Sequence, residues 1–190
     1  MKGKAFVFIL NIMAAINATQ ASSSEKIFNI GLGGGNAGIK SYKDKIYNDN
    51  LDEHYASEIS LTYITDSTLY ASLGASYHKP IGTFMSDNVL QVEDNEGELT
   101  GAFGLRATIG KYFALAENAS GRHLFNVGVG ASLIRLDINS VDDSYDSALA
   151  FEVGYRFVFN DGVGAGFSIT QLENDYDSFT FGTFNFSYSF

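Results

Sequence analysis

Four ionisable residues stand out because they interrupt stretches that otherwise carry little charge. Glu58, Arg106, Glu152 and Arg156 each lie within an alternating segment, on the side that also carries Gly, Ser, Thr, Ala and Asn. Two acids and two bases sum to zero, which favours a closed interior network, because an unpaired buried charge is costly. Tyr70 lies on the same kind of face. The pattern predicts either ion pairs that fill an interior or a charged gate or ion path.

Hydroxyl and imidazole groups form the second chemical pattern. Ser76 and His78 are two residues apart on one face of an alternating segment, and nucleophilic catalysis needs such groups within hydrogen-bond reach. His54 follows two acidic residues in a predicted loop, and His123 lies in a predicted turn at the opposite end. A Ser and a His at this spacing occur often by chance. We therefore predict no catalytic residue.

Acidic residues concentrate in four polar stretches, 41–54, 79–97, 137–146 and 173–177. Together these hold 15 acids and 3 bases, a net charge of −12, and the whole chain after residue 21 also has a net charge of −12. The pattern predicts either a surface that binds divalent cations or a basic partner, or merely a solvated, repulsive surface. Residues 137–143 lack the Gly and the closing Glu of an EF-hand loop. No cofactor, metal-ligand set or nucleic-acid-binding patch is predicted.

The elements that position these residues are short segments with strict two-residue alternation, which is typical of strands with two unlike faces. Three short connections, 66–67, 117–122 and 160–162, alternate with the four acidic stretches. Eight segments of about 9 to 11 residues or slightly more fit strands that cross a bilayer. The sequence predicts an all-β, eight-stranded antiparallel up-and-down transmembrane barrel with strands at 27–39, 55–65, 68–78, 99–113, 124–136, 148–159, 163–172 and 183–190.

Side-chain size predicts which face points outward. An eight-stranded barrel has an interior just wide enough for side chains to fill. The small face therefore belongs inside, and the face rich in Phe, Tyr, Leu, Val and Ile belongs against lipid. In the last segment this lipid-facing set is Phe184, Phe186, Tyr188 and Phe190.

Two upstream aromatic residues do not share the phase of that last segment. Phe179 and Phe181 are odd-numbered, whereas the lipid-facing residues after Gly182 are even-numbered. We expect a β-bulge at Gly182 that re-aims the chain. The alternative is that the two phenyl rings point inward near the loop end.

The amino-terminal residues predict export. Lys2 and Lys4 precede an apolar run over 5–16, and small residues at 19–21 resemble a cleavage site, with residue 18 as the alternative. This run is too short to span a bilayer as a helix. We therefore predict a signal peptide at 1–21 and a barrel domain at 22–190. The chain contains no Cys, which excludes disulfides and thiolate metal sites.

The signal peptide, the eight alternating segments and the terminal aromatic pattern together resemble small eight-stranded outer-membrane β-barrel proteins of Gram-negative bacteria, in the broad OmpA/OmpX-like class. The resemblance implies localisation in the outer membrane, contact with its lipid, and recognition of Phe186, Tyr188 and Phe190 by the outer-membrane assembly machinery. It favours a non-enzymatic structural or surface-interaction role. The alternatives are a narrow pore for small solutes and an enzyme that modifies lipid A, as some proteins of this class do.

Overall fold

The structure is a computed structural model that describes residues 25–39, 53–80, 99–138, 144–173 and 177–190. Each strand pairs antiparallel with the next, and β8 pairs with β1, so the sheet closes into a barrel. The predicted eight-stranded up-and-down barrel is confirmed. Its strands are β1 (Glu25–Ile39), β2 (His54–Ile64), β3 (Leu69–Pro80), β4 (Leu99–Asn118), β5 (Gly121–Ile138), β6 (Ser144–Phe159), β7 (Val163–Glu173) and β8 (Asp177–Ser189).

Some predictions fall outside these residues. The signal peptide at 1–21 and most of the four acidic stretches lie there. None of the described segments forms a helix long and apolar enough to cross a membrane.

The strands divide the barrel into two ends. The short-turn end holds the turns after β2, β4 and β6, the start of β1 and the end of β8, and the long-loop end holds the other four connections. The turn after β4 is shorter than the predicted 117–122, because β4 and β5 continue to Asn118 and Gly121. The Asn118 side chain stabilises this tight turn. Its Oδ1 accepts hydrogen bonds from the backbone N–H groups of Ser120 and Gly121, at 2.9 and 3.1 Å.

Bulky apolar side chains cover the outside of the barrel, and small or polar side chains point inward, as the alternation predicted. Phe28, Leu105, Phe151 and Phe184 are among the exposed large residues, whereas Asn29, Thr108, Ser132 and Thr183 are buried. Tyr63 departs from the pattern, since it has outward parity but is only 7% exposed. The outer surface is therefore a nearly continuous apolar belt, as contact with lipid requires.

The expected β-bulge at Gly182 is wrong. β8 pairs with β1 and β7 without a register shift, and Phe179 and Phe181 are both 1% exposed inside the barrel. The physical reason is space on the neighbouring strand, because Phe181 lies opposite Gly35. A Cβ at Gly35 would lie 2.8 Å from the Cβ of Phe181, so the glycine leaves room for an inward phenyl ring.

The interior is layered along the barrel axis. An apolar layer at the long-loop end includes Leu136, Leu172, Phe179 and Phe181. A second apolar layer at the short-turn end consists of Ile27, Ile64, Tyr70, Tyr112, Leu124 and Val158. Polar and charged side chains occupy the middle. The small polar interior predicted from the sequence is therefore interrupted by an apolar cluster toward each end of the barrel.

Candidate functional site

The central polar layer is organised around Arg106, which β4 directs into the barrel. Its Nη2 lies 2.6 Å from Oε1 of Glu58 on β2 and 3.1 Å from Oε2 of Glu152 on β6. All three side chains are largely buried. We call Glu58, Arg106 and Glu152 the central triad. It carries one positive and two negative charges, so two carboxylates from different strands share a single guanidinium and the triad has a formal net charge of −1.

Neutral side chains add hydrogen bonds to Arg106 and Glu152, whereas Oε2 of Glu58 is buried without a hydrogen-bond partner. Arg106 Nη1 donates to Oγ1 of Thr170 at 2.6 Å. Asn126 Nδ2 donates to Oε1 of Glu152 at 2.8 Å and lies 3.4 Å from the hydroxyl of Tyr70. A planar donor held on three sides by partners from separate strands has little freedom to move, so the triad cross-links the lumen.

Arg156, the fourth predicted charge, does not join the triad. Its guanidinium lies 5.9 Å from the ring centroid of Tyr112 in the short-turn apolar layer, a cation–π arrangement. Nearby, at the mouth of the barrel, Arg122 Nη2 forms an ion pair with Glu25 at 3.0 Å. The structure therefore brings together three of the four charges and places the fourth against an aromatic ring.

The hydroxyl–imidazole pair is also inside the barrel. His78 Nε2 lies 3.0 Å from Oγ of Ser76, and the His78 ring packs edge-on against His54, with ring centroids 4.9 Å apart. His54 is the first residue of β2 and fully buried, rather than part of a loop as predicted, because Phe179 packs against it. The barrel wall thus separates Ser76 and His78 from surrounding lipid.

The third histidine also differs from its prediction. His123 lies within β5, not in a turn, because β5 extends to Gly121. Its Nδ1 lies 2.6 Å from the Tyr155 hydroxyl, and its ring contacts Phe157 at 4.6 Å between centroids. In the part of the chain that the structure describes, no three His, Cys, Asp or Glu side chains gather to hold a metal ion.

The carboxyl-terminal aromatic residues lie on the outer surface at the short-turn end. Phe186, Tyr188 and Phe190 are all exposed, and Tyr188 stacks with Phe190 at 6.3 Å between ring centroids. Backbone hydrogen bonds of 2.9 and 3.1 Å join Phe190 to Lys26 at the start of β1. The last residue is therefore part of the barrel seam.

Residues that close the lumen were not found from the sequence. Ile134, Leu136 and Leu172 fill the long-loop end, and Val158 fills the short-turn end. The inward orientation of these four residues can be predicted if the two-residue alternation is continued to the end of each strand. The contact between Phe179 and the two histidines, in contrast, depends on the curvature of the closed sheet and has no sequence signal.

The same fold occurs in solved structures. Ail, the attachment invasion locus protein of Yersinia pestis, superposes with a TM-score of 0.54 at 13% identity, over 88% of this chain and 99% of Ail. The amino-terminal β-barrel domain of Pseudomonas aeruginosa OprF gives 0.53 at 11% identity, over 90% and 100% of the two chains. Neisserial surface protein A gives 0.51 at 9% identity, over 88% and 96%.

The chain has the fold of the small eight-stranded outer-membrane β-barrels. The predicted class is thereby confirmed at the level of fold, and the predicted outer-membrane localisation agrees with these neighbours and with the apolar outer belt. No protein-family model and no curated protein matches the sequence. The function therefore has to be argued from the residues of this outer-membrane barrel.

Proposed function

We propose that this protein is a non-enzymatic, non-conducting outer-membrane barrel that holds four acidic loops at the cell surface. The observation that carries the proposal is the presence of buried apolar layers at both ends of the lumen, on either side of the central triad. A barrel that is filled along its axis offers its loops, rather than its interior, for interactions with other molecules.

The layered lumen argues against the alternative of a narrow solute pore. A hydrated ion entering from the long-loop end would meet Phe179 and Phe181, and one entering from the short-turn end would meet Ile27 and Val158. Apolar constrictions oppose ion passage because they dewet. Arg106 is held between two carboxylates by direct contacts, which favours a structural cross-link over an ion path.

The position of Ser76 and His78 argues against the alternative of a lipid A-modifying enzyme. Acyl chemistry would need their Oγ and Nε2 atoms to reach a lipid ester, yet both side chains are buried in the lumen beside Phe181. The nearest buried carboxylate on β2, Glu58, is held by Arg106. The pair therefore serves as packing within the long-loop apolar layer.

The loop charges favour a cationic partner. The stretches 41–54, 79–97, 137–146 and 173–177 carry a net charge of −12, which attracts divalent cations or a basic surface. A structure of Ail exists in complex with the heparin analogue sucrose octasulfate. The acidic loops here would repel such a polyanion, so we expect a partner of the opposite charge.

Surface presentation of the loops can be tested by cysteine labelling, since the chain has no native Cys. We expect Asn95→Cys, in the stretch 79–97, to react with a membrane-impermeant maleimide on intact cells. The matched variant Ser120→Cys, in the exposed turn after β4, should react only after the outer membrane is permeabilised. The reverse labelling pattern would contradict the proposed orientation.

Binding by the loops can be tested by calorimetric titration of the protein in vesicles with calcium and, separately, with an oligolysine peptide. A variant with Asp142, Asp143 and Asp146 changed to Asn removes three charges from the acidic stretch 137–146. We expect weaker binding of the cationic probe by this variant, and its affinity should fall with added salt. Absence of binding by either cation would leave the barrel with a purely structural role.

The carboxyl terminus is proposed as the assembly signal. The exposed aromatic face of Phe186, Tyr188 and Phe190 follows from the alternation of β8, and the resemblance to the outer-membrane class assigns such a face to the assembly machinery. We expect Phe190→Ser to lower the amount of folded barrel in the outer membrane while purified protein refolds normally in detergent. Equal loss of refolding in detergent would indicate a structural role instead.

A further inference from the structure

A groove crosses the outer surface of the barrel toward the short-turn end. It runs between the cross-strand row Ala71, Ile109 and Val129 and the row Leu69, Lys111 and Val127. Its volume is about 770 Å³, within the range of roughly 300 to 1,000 Å³ that is usual for ligand pockets. The groove therefore has the size of a binding site although it lies on the lipid-facing wall.

The depression is explained by side-chain size. Ala71 presents a single methyl group between Tyr63 on one neighbouring strand and Ile109 on the other. Tyr63 also lines the groove, and its low exposure shows that its ring lies against the wall instead of projecting outward. The small side chain of Ala71 beside larger side chains leaves a groove that a flexible hydrocarbon chain could fill.

Two charged residues line this apolar groove, Lys111 and Glu152, and the Glu152 carboxylate is held inside the lumen by Arg106 and Asn126. The Nζ of Lys111 lies 5.6 Å from the ring centroid of Phe113, which is two residues nearer the short-turn end. The ammonium group is thus drawn toward the membrane interface while its carbon stem stays on the apolar surface. Among the residues that the structure describes, the ion pairs involve Arg106, Arg122 and Arg135 but not Lys111.

We propose that the groove binds one anionic glycerophospholipid of the leaflet at the short-turn end, with an acyl chain along the groove and the phosphate at Lys111. The apolar lining matches the acyl chain, and a cation without a carboxylate partner matches the phosphate. Only the assignment of this leaflet to the periplasmic side depends on the proposed function. The cysteine-labelling result therefore tests the leaflet, and lipid binding tests the groove.

The experiment is a titration of the purified barrel in detergent with phosphatidylglycerol, followed by native mass spectrometry. Diacylglycerol with the same acyl chains is the probe without phosphate. We expect one tightly retained phosphatidylglycerol, and Lys111→Gln should weaken its binding roughly fivefold, to the level of diacylglycerol. Lys26→Gln is the matched control, because Lys26 is an exposed lysine at the same end that does not line the groove.

A second variant tests the groove itself. Ala71→Phe should fill the floor and weaken both probes, and Ala71→Leu replaces it if the phenylalanine variant does not give the heat-modifiable gel mobility of a folded barrel. Equal binding of the two probes to the unchanged protein, or equal effects of Lys111→Gln and Lys26→Gln, would overturn the proposal. A dimer that Ala71→Phe dissociates in the absence of lipid would also overturn it, since the face would then join two copies.

Discussion

At the scale of single residues, Arg106 is the side chain on which the interior depends most. It is 8% exposed and contacts both Glu58 and Glu152. Removing one partner of a buried ion pair leaves an uncompensated charge and is strongly destabilising. Here the loss of a single cation would leave two buried carboxylates with no cation between them.

We predict that Arg106→Met lowers the free energy of unfolding by about 3 to 5 kcal/mol, measured by urea denaturation in lipid vesicles. Glu152→Gln is the matched control, because it keeps the pair between Arg106 and Glu58 and should cost less. The triple variant with Glu58→Gln and Glu152→Gln added to Arg106→Met should recover much of the loss. Equal unfolding curves for Arg106→Met and Glu152→Gln would contradict a shared cation.

Glycines inside the barrel differ in how much room surrounds them. A Cβ at Gly128 would collide with the hydroxyl of Tyr70, whereas a Cβ at Gly74 would meet its nearest atoms at 3.5 to 3.6 Å, which is ordinary contact. We predict that Gly128→Ala destabilises the barrel by roughly 1 to 3 kcal/mol, the usual cost of overpacking. Gly74→Ala should match or slightly exceed wild-type stability. Thermal unfolding in detergent checks both, and a destabilised Gly74→Ala beside an unchanged Gly128→Ala would contradict the packing.

The sequence could predict which charges face inward but not which of them meet. Glu58, Arg106, Glu152 and Arg156 were identified by parity and scarcity, both of which are local properties. Their pairing depends on strand register around the barrel and on the distance across the lumen. The contact between Arg156 and the ring of Tyr112 could not be predicted, because Tyr112 is one of many aromatic residues in the chain.

At the scale of elements, β8 shows that sequence alternation predicts the position of a strand more readily than it predicts which side chains face the lumen. The strand alternates without interruption from Asp177 to Ser189, so the parity of Phe184 and Phe186 already placed Phe179 and Phe181 inside. The residue type of Phe179 and Phe181 favours the opposite orientation, because bulky aromatic side chains are expected to face lipid. Parity is a constraint of backbone geometry, and it overrode side-chain preference where Gly35 made room.

Strand ends were harder to predict than strand centres. Residues 117–122 are polar and resemble a loop, yet β4 continues to Asn118 because cross-strand pairing with β5 proceeds through a register shift between Ala114 and Ala116. A shift of this kind depends on the partner strand. It therefore leaves no periodic trace in the sequence of one strand alone.

Two phenylalanines of β8 provide a matched test of the inward and outward faces. We predict that Phe181→Ala, which removes a ring that is 1% exposed, costs about 3 to 5 kcal/mol. Phe184→Ala removes a ring that is 51% exposed and should cost less than half as much. Urea unfolding of both variants in the same vesicles decides the question. A larger effect for Phe184→Ala would mean that the two faces of β8 are exchanged.

At the scale of the whole molecule, the barrel separates three environments. The outer wall is apolar and faces lipid, the lumen holds two apolar layers around a polar centre, and the sequence stretches that link the strands at the long-loop end are acidic. Under the proposed function, the interior contributes stability and the acidic stretches take part in recognition. It also predicts that solutes and ions do not pass through the protein.

Single-channel recording in planar lipid bilayers tests this central claim most directly. We predict no stepwise conductance for the folded protein, because ions would have to cross Phe179 and Phe181 at one end and Ile27 and Val158 at the other. A porin inserted under the same conditions confirms that channels are detectable. Reproducible ion-selective openings that change selectivity in Arg106→Met would contradict the closed lumen and would establish the central triad as an ion path.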